Sequence, residues 1–498
     1  MAHLASGTLG AVAAGDSRAA AAAMGAFAQG GSAIDAVIAG ALTQWVVMPD
    51  MCGPGGDLFA LIARGPHVSS INASGPAPES ILTGGNRMDV TIPGALHGLY
   101  ALHSMGGRLP IEHALDAAAQ LATRGFVISK SLSWQFRNVA KGRLREDLMK
   151  QWNSVVIEGR VATWPAMATT LRALATDGLD GFVTGRLGKR TAAEWASHGC
   201  HIEPSAWRDV RPDCSPPLEI EVDGWKVSVN PPVSQGVLLQ AALGAMGPEA
   251  RDELARGSGV GIHLAVEATK LAFGEQNRVF DGGRLECEEL LSGKVLREMR
   301  RQIGPKAQCG RPIRAGYGDT THLAAVDAEG CLTSLIHSLY QPFGAGVIAP
   351  STGLIMNNRG SCFDSGDNAL AVGRRPRHTL TNVVATSEFG GRLAMGTPGA
   401  NAQVQTNLQV LNALMRLPVD RWVEAVDAPR WTFWGEGDVA VEDGVPQPVL
   451  DSLAERGHRL VARPGHDWFC GAVGIVGETP NGILAIQDPR REGIALAL

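Results

Sequence analysis

The chain has 498 residues, a formal net charge of −5, 19% charged residues and 45% hydrophobic ones. That length allows two to four domains or one large α/β unit, and the apolar share supports a large buried core rather than global disorder. An acidic balance without a Lys/Arg run argues against a nucleic-acid partner, and no apolar run approaches the ~18 residues of a membrane span.

Residues 1–7 lack the basic start and apolar block of a secretory signal. The eight cysteines form no CxxC pair, so neither zinc nor a thiol redox site is suggested, and a reducing, cytoplasmic location is expected. The 62 glycines follow no collagen period and point to tight turns and close backbone approaches.

In chain order, Arg18 to Gln29 reads as a helix ended by Gly30-Gly31. Ser32 caps a second helix, Ala33 to Val47, which Pro49 stops. Cys52-Gly53-Pro54-Gly55-Gly56-Asp57 then leads into a strand at 58–62. The order helix, glycine loop, strand is the reverse of a phosphate-binding loop, so nucleotide binding is not expected. Helical patterns dominate from about 94 to 200. Glu219 to Val229 alternates as a strand pair about Asp223-Gly224. Helices are predicted at 234–246, 261–279 and 288–301, followed by an aperiodic loop at 302–318. From residue 320 the chain turns β-rich. Strands are predicted at 321–327 and 331–339 about Ala328-Glu329-Gly330, with more near 353–357, 380–386 and 392–396. A helix at 401–415 and a hairpin about Pro480-Asn481-Gly482 complete the chain.

The segment Gly318-Asp319-Thr320-Thr321-His322-Leu323-Ala324-Ala325-Val326-Asp327 carries the chemistry. Alone it is a turn and a strand whose threonines are good strand formers. Other stretches lie in a telling order: Gly30-Gly31-Ser32-Ala33-Ile34-Asp35-Ala36, Pro54-Gly55-Gly56-Asp57-Leu58-Phe59, Val90-Thr91-Ile92-Pro93-Gly94 and the helix from His263 to Phe273. They continue with Asn357-Asn358-Arg359-Gly360, Arg374-Arg375-Pro376-Arg377-His378-Thr379, Gly396-Thr397-Pro398-Gly399-Ala400 and Asp488-Pro489-Arg490-Arg491. Together, over about residues 9–498, they resemble the γ-glutamyltransferase family of N-terminal-nucleophile hydrolases.

The resemblance implies an α+β fold, a four-layer αββα sandwich. It implies a chain that cuts itself between Asp319 and Thr320 into a mostly helical large subunit, 1–319, and a β-rich small subunit, 320–498, which remain associated. A threonine hydroxyl needs a base to act as a nucleophile. Once cut, Thr320 would carry its own α-amine, whose ordinary pKa of ~7.7–8.0 lets it accept the hydroxyl proton near neutral pH. Ser338 falls where the family holds that amine with a hydroxyl. Gly399 and Ala400 would supply oxyanion-hole N–H groups before the helix at 401–415. Each also reads as ordinary structure: Ser338 as a strand serine, 396–400 as a strand-to-helix turn.

Recognition of the substrate departs from the family pattern. Ser74 falls where true γ-glutamyltransferases carry an arginine for the α-carboxylate, and a serine offers no bidentate cation. Cys362 replaces the aspartate for the α-amino group, Tyr340 an asparagine beside the nucleophile, and His378-Thr379 a serine pair. Asn358-Arg359-Gly360, His378-Thr379 and Gly396-Thr397-Pro398-Gly399 resemble instead the branch that includes oxamate amidohydrolase and γ-glutamyltransferase-like acylases. There Arg359 is either a new cation for a substrate carboxylate or a salt-bridged structural residue, and His378 either touches substrate or orders its loop. His322 shares a strand face with Thr320 but is read as structural, as is Arg490 in an ion pair. No His/Asp/Glu group has metal spacing, and this route to amide hydrolysis needs no cofactor. The expectation is a hydrolase of a small amide through an acyl-Thr320 ester, with no nucleic-acid or membrane partner and a homo-oligomer left open. The alternatives are γ-glutamyl hydrolysis or transfer with rebuilt head-group contacts, and a catalytically silent binding protein of the same fold.

Overall fold

The structure is a computed structural model. It describes the chain apart from residues 84–86, 141, 143, 145–148, 150–151, 153, 311–318, 365, 435–436 and 480–481. Two large sheets contain the strands numbered here β1 (His3–Gly7), β2 (Gly10–Ala14), β3 (Asp57–Arg64), β4 (His67–Ala73), β5 (Leu218–Val222), β6 (Trp225–Val229), β7 (Asp319–Asp327), β8 (Leu332–Tyr340), β9 (Asn382–Ser387), β10 (Arg392–Gly396), β11 (Gly474–Thr479), β12 (Gly482–Gln487) and β13 (Ile494–Ala497). The seven-stranded sheet runs β1-β12-β11-β10-β9-β6-β5 and the six-stranded sheet β13-β2-β7-β8-β3-β4. Neighbouring strands in both are antiparallel.

The sheets stack face to face over a thin layer of small residues, including Ala11, Ala13, Ala324, Val326, Ala394, Val476 and Ala485. Their outer faces are covered by helices. Over the six-stranded sheet lie α1 (Ser17–Ala28), α2 (Ala33–Val47) and α3 (Ala95–Ser104), sharing one core with Val12, Leu323, Ala325 and Leu335. Over the seven-stranded sheet lie α4 (Gly236–Met246), α5 (Gly259–Gly274) and α6 (Ala402–Leu414), packed on Val227, Val383, Met395 and Ile475. Strands covered on both faces, such as β3 and β12, are thus buried nearly throughout and read as near-continuous apolar runs, while the edge strands β1 and β5 are partly exposed. This is the expected four-layer αββα sandwich.

Most predicted elements are present, some with shifted ends. The expected strand at 353–357 is only a single bridge, Ile348 to Ile355. The helix expected at 261–279 ends at Gly274, and a separate one spans Gln276–Leu290. The turn of the last hairpin, Pro480-Asn481, and the end of the 302–318 loop lie outside the described residues. Four strands of the two large sheets were not predicted: β1, β2, β4 and β13. No helix among the described residues is long and apolar enough to cross a membrane.

Candidate active site

Alternation along β7 decides what each residue can reach. Thr320, His322, Ala324 and Val326 face the other sheet, while Thr321, Leu323 and Ala325 face α2. On β8, Ser334 and Ser338 share the inter-sheet face, and His337 faces the helix side. A bulge between His337 and Tyr340 interrupts the β7–β8 ladder, and Tyr340 has φ 81°. Bulges of this kind re-aim side chains beside functional sites. Here the bulge brings Ser338 to the start of β7. The Ser338 hydroxyl donates to the Asp319 carbonyl at 2.6 Å and accepts from the Tyr340 N–H at 2.8 Å and from the Thr320 hydroxyl at 3.3 Å. The structure therefore brings Thr320, Ser338 and the Asp319–Thr320 peptide together. Gly55 and Gly56 make this approach sterically open: a Cβ at Gly56 would lie 2.4 Å from the Ser338 carbonyl oxygen, and one at Gly55 2.0 Å from that of Ile355.

Behind Thr321 runs a buried relay. The Trp45 indole donates to His337 Nδ1 at 3.0 Å, so His337 Nε2 carries the proton and donates to Gln44 Oε1 at 2.8 Å. Gln44 Nε2 in turn donates to Thr321 Oγ1 at 2.9 Å. His322 does face the side of Thr320, yet its Nε2 is spent on Ser334 Oγ at 2.8 Å, whose proton goes to Asn382 Oδ1. Burial pushes both His322 and His337 down to about 3, so both are neutral.

A second cluster borders Tyr340. Asp57, at the end of the glycine loop, accepts from Arg359 Nε at 3.2 Å and from His378 Nε2 at 3.0 Å, all three fully buried. The Leu380 N–H donates to His378 Nδ1, which fixes the proton on Nε2. Burial, then Arg359, holds His378 down to about 4. Burial pushes the Asp57 carboxyl up, but His378 and Arg359 more than offset it and leave it below the ordinary range. Arg359 stacks over the Tyr340 ring at 4.4 Å and reaches Thr379 Oγ1 at 3.4 Å and Cys362 Sγ at 3.7 Å. Its Nη2 is buried without a partner. The Cys362 sulfur first, and then burial, push the Tyr340 phenol up. Ser74 lies in the same region, but its hydroxyl donates to Asn72 Oδ1 at 2.7 Å and its carbonyl accepts from Arg375 Nε at 2.8 Å.

Gly399 and Ala400 form the turn into α6 with φ of 131° and 51°. Neither N–H has an acceptor within the described residues. Gln235 Nε2 ties this turn to the second cluster, donating to the carbonyls of Ala400 at 2.9 Å and Thr379 at 2.7 Å. Pro398 shares with Thr320 a narrow cleft of about 30 Å³, also lined by Asp16, Met51, His322, Arg491 and Glu492.

Sequence reasoning missed four residues at this site. Asp57 was legible only as part of a glycine loop. Arg491 donates to Asp319 Oδ1 at 3.1 Å, Gln135 Nε2 donates to Asp319 Oδ2, and Asp50 is buried nearby with both carboxyl oxygens unpartnered. Burial, opposed by Arg491, leaves the Asp319 carboxyl pushed up to about 6, and burial then Asp319 raise Asp50 well above its ordinary range. Gln135 and Asp50 are far from residue 319 in sequence, so no spacing could have paired them. Arg490, by contrast, makes the expected ion pairs, with Glu442 at 2.5 Å and Asp488 at 3.3 Å. One group among the described residues, His263, Glu267 and His458, has metal-ligand character. Hydrogen bonds occupy it: Lys270 Nζ lies 2.7 Å from Glu267, and His263 Nδ1 lies 2.8 Å from His458 Nε2.

The family model for gamma-glutamyltranspeptidase matches residues 19–498. The chain belongs to that family. It is 30% identical over 499 residues to the oxamate amidohydrolase proenzyme of Klebsiella pneumoniae, covering 92% of this chain and 93% of that protein. It is 29% identical over 416 residues to the acylase ACY 1 proenzyme of a Pseudomonas strain, covering 79% and 72%. Among solved structures, cephalosporin acylase from Bacillus halodurans superposes with a TM-score of 0.88 at 28% identity, over 99% of this chain and 97% of that one. The chain is thus an enzyme of the gamma-glutamyltranspeptidase family, its oxamate amidohydrolase and acylase relatives are proenzymes, and an amidohydrolase activity fits them.

Proposed function

We propose that the chain cleaves itself between Asp319 and Thr320 and then hydrolyses a small amide through an acyl-Thr320 ester. The observation that carries this reading is the Thr320 hydroxyl, Ser338 hydroxyl and Asp319 carbonyl held in one hydrogen-bonded line. In the first reaction Ser338 polarises the Asp319 carbonyl, Thr320 Oγ adds to it, the peptide nitrogen leaves as the Thr320 amine, and water hydrolyses the ester. In the second, the freed α-amine takes the Thr320 hydroxyl proton as Oγ adds to the substrate carbonyl. Ser338 then holds the amine, and the Gly399 and Ala400 N–H groups receive the developing oxyanion. The amide nitrogen leaves as ammonia, and water releases the acid.

Tyr340, His378 and Thr379 shape the substrate pocket with Ser74 at its edge, and Arg359 offers its unpartnered Nη2 to a substrate carboxylate. Because Ser74 stands in place of an arginine, oxamate-like amides are preferred to γ-glutamyl compounds, and the acceptor in this reading is water. Eight cysteines, none in a disulfide, suit a reducing cytoplasm.

Intact-mass analysis should show two fragments, the smaller beginning at Thr320. Thr320→Ala should remain one chain and lose activity by at least ~10³-fold, in line with removal of a covalent nucleophile. Ammonia release from oxamate should exceed anilide release from a γ-glutamyl anilide. An uncut, active chain would overturn the nucleophile, and turnover of the anilide alone would favour γ-glutamyl chemistry.

A further inference from the structure

The Asp319 side chain occupies a built carboxylate site. Arg491 Nη1 lies 3.1 Å from Asp319 Oδ1, and Gln135 donates to Oδ2. The Arg491 guanidinium carbon lies over the Trp468 ring, 3.5 Å from its centre, and Nη2 reaches the Trp468 carbonyl at 3.4 Å. Its side chain is 7% exposed, and Asp319 is fully buried. Arg359 keeps its counter-ion Asp57 whatever happens at residue 319, whereas the carboxylate paired with Arg491 belongs to the residue that the proposed cut turns into a free chain end. With Asp319 in place the cleft beside Thr320 measures about 30 Å³, room for about two waters. An amide substrate enters only where Asp319 has left.

We infer that Arg491 and Gln135 form a substrate subsite for which Asp319 is the stand-in, and that it takes the carboxylate of an amide whose acyl group carries that carboxylate on a two-carbon spacer. The inference rests on the self-cleavage proposed above. In the precursor the acyl group attacked by Thr320 is the Asp319 α-carbonyl, with the side-chain carboxylate two carbons away from it. Succinamate has the same spacing between its amide carbonyl and its carboxylate. Oxamate, with the two groups directly bonded, does not reach Arg491. Thr320 Oγ adds to the succinamate carbonyl, its proton passes through the α-amine to the nitrogen, ammonia leaves, and water converts the succinyl ester to succinate. The other charged groups near Arg491 leave room for this role. Asp16 is paired with Arg18 at 2.5 Å, Asp488 with Arg430 at 2.5 Å, and Glu492 accepts from the Lys130 N–H at 3.1 Å. Among the described residues, Asp50 is the unpartnered carboxyl left to compete for Arg491 once Asp319 is gone.

The test uses purified protein whose cleavage is first read by intact mass; an uncut wild-type chain sinks the processing reading before this one is reached. On cut enzyme, kcat/KM for succinamate should exceed that for the neutral butyramide by roughly 30-fold or more, the scale set by a buried charge-assisted pair. Succinate should inhibit competitively, and butyrate should not. Arg491→Gln, assayed only on material shown to be cut, should bring the two amides to within about threefold of each other. Because that variant can fail to process, calorimetric titration supplies an independent arm: succinate should bind cut wild type and not uncut Thr320→Ala, where Asp319 still fills the site. Equal turnover of the two amides, as expected if Asp50 captures Arg491, would overturn the subsite. So would succinate binding to both forms or to neither.

Discussion

Burial decides protonation at the residue scale. His322, His337 and His378 are held down to about 3, 3 and 4, against an ordinary value near ~6.5 in the unfolded chain. Between the folded and unfolded values the unfolded state binds the proton and the native state does not, so stability falls as pH drops from ~6.5 toward 3–4. For one such histidine the loss at pH 5 is about 2 kcal/mol. Asp319 acts in the opposite sense. Its folded value of about 6 lies above an unfolded ~3.9, so the stability it adds is complete below ~3.9 and is lost as pH rises to about 6. Urea unfolding at pH 5 and pH 7 should therefore show His337→Gln, which keeps one hydrogen-bonding arm, with a shallower pH dependence than wild type. An unchanged difference between the two pH values would show that His337 titrates normally. The likeness of 320–327 to a processing site was legible in the sequence. The company kept by Asp319 was not, because Arg491, Gln135 and Asp50 reach it only through the fold.

Helix α2 is the element whose start is most plainly written in the sequence. Ser32 and Asp35 form a reciprocal capping box. Asp35 does more than cap, since its carboxylate also accepts from the Arg108 N–H at 2.9 Å and the Leu109 N–H at 3.2 Å. The Ala33 N–H donates to Asp327 at 2.9 Å, fastening the start of α2 to the end of β7. Ser32→Ala should cost about 1 kcal/mol, the usual loss of a cap. Asp35→Ala strands the N–H groups of a second loop and should cost about 2–4 kcal/mol. Equal losses in denaturant titration would mean that the 108–109 contacts carry nothing. Strand β2 shows the opposite case. Its sequence Gly-Ala-Val-Ala-Ala has little strand preference, and it is extended because β13 and β7 pair with it on either side. Such long-range pairing overrides local preference, so no reading of residues 10–14 alone could find it. The single bridge at Ile348–Ile355 is the converse, an apolar stretch with strand character but, among the described residues, no neighbouring strand to pair with.

For the whole molecule, the consequence of a cut at 319/320 follows from how the sheets are woven. In the six-stranded sheet, β2, β3 and β4 precede the cut and β13, β7 and β8 follow it. In the seven-stranded sheet β1, β5 and β6 precede it and β12, β11, β10 and β9 follow. β2 lies between β13 and β7, and β12 lies between β1 and β11, so each piece completes ladders of the other. The end of the first piece is also stitched to the second. The Ala307 N–H donates to the Arg456 carbonyl at 2.7 Å, Lys306 Nζ to the Glu455 carbonyl at 2.6 Å, and Arg456 Nη1 to the Pro305 carbonyl at 3.2 Å. Separating the pieces would expose an inter-sheet core and leave rows of buried backbone N–H and C=O groups without partners, at a cost no single chain end can recover. The two fragments should therefore elute as one species in size-exclusion chromatography, run as two bands on a denaturing gel, and unfold in urea in one transition whether followed by fluorescence or by fragment release. Dissociation in buffer, or release of one fragment before the other loses structure, would mean that the cut lies elsewhere or that the sheets are not shared as described.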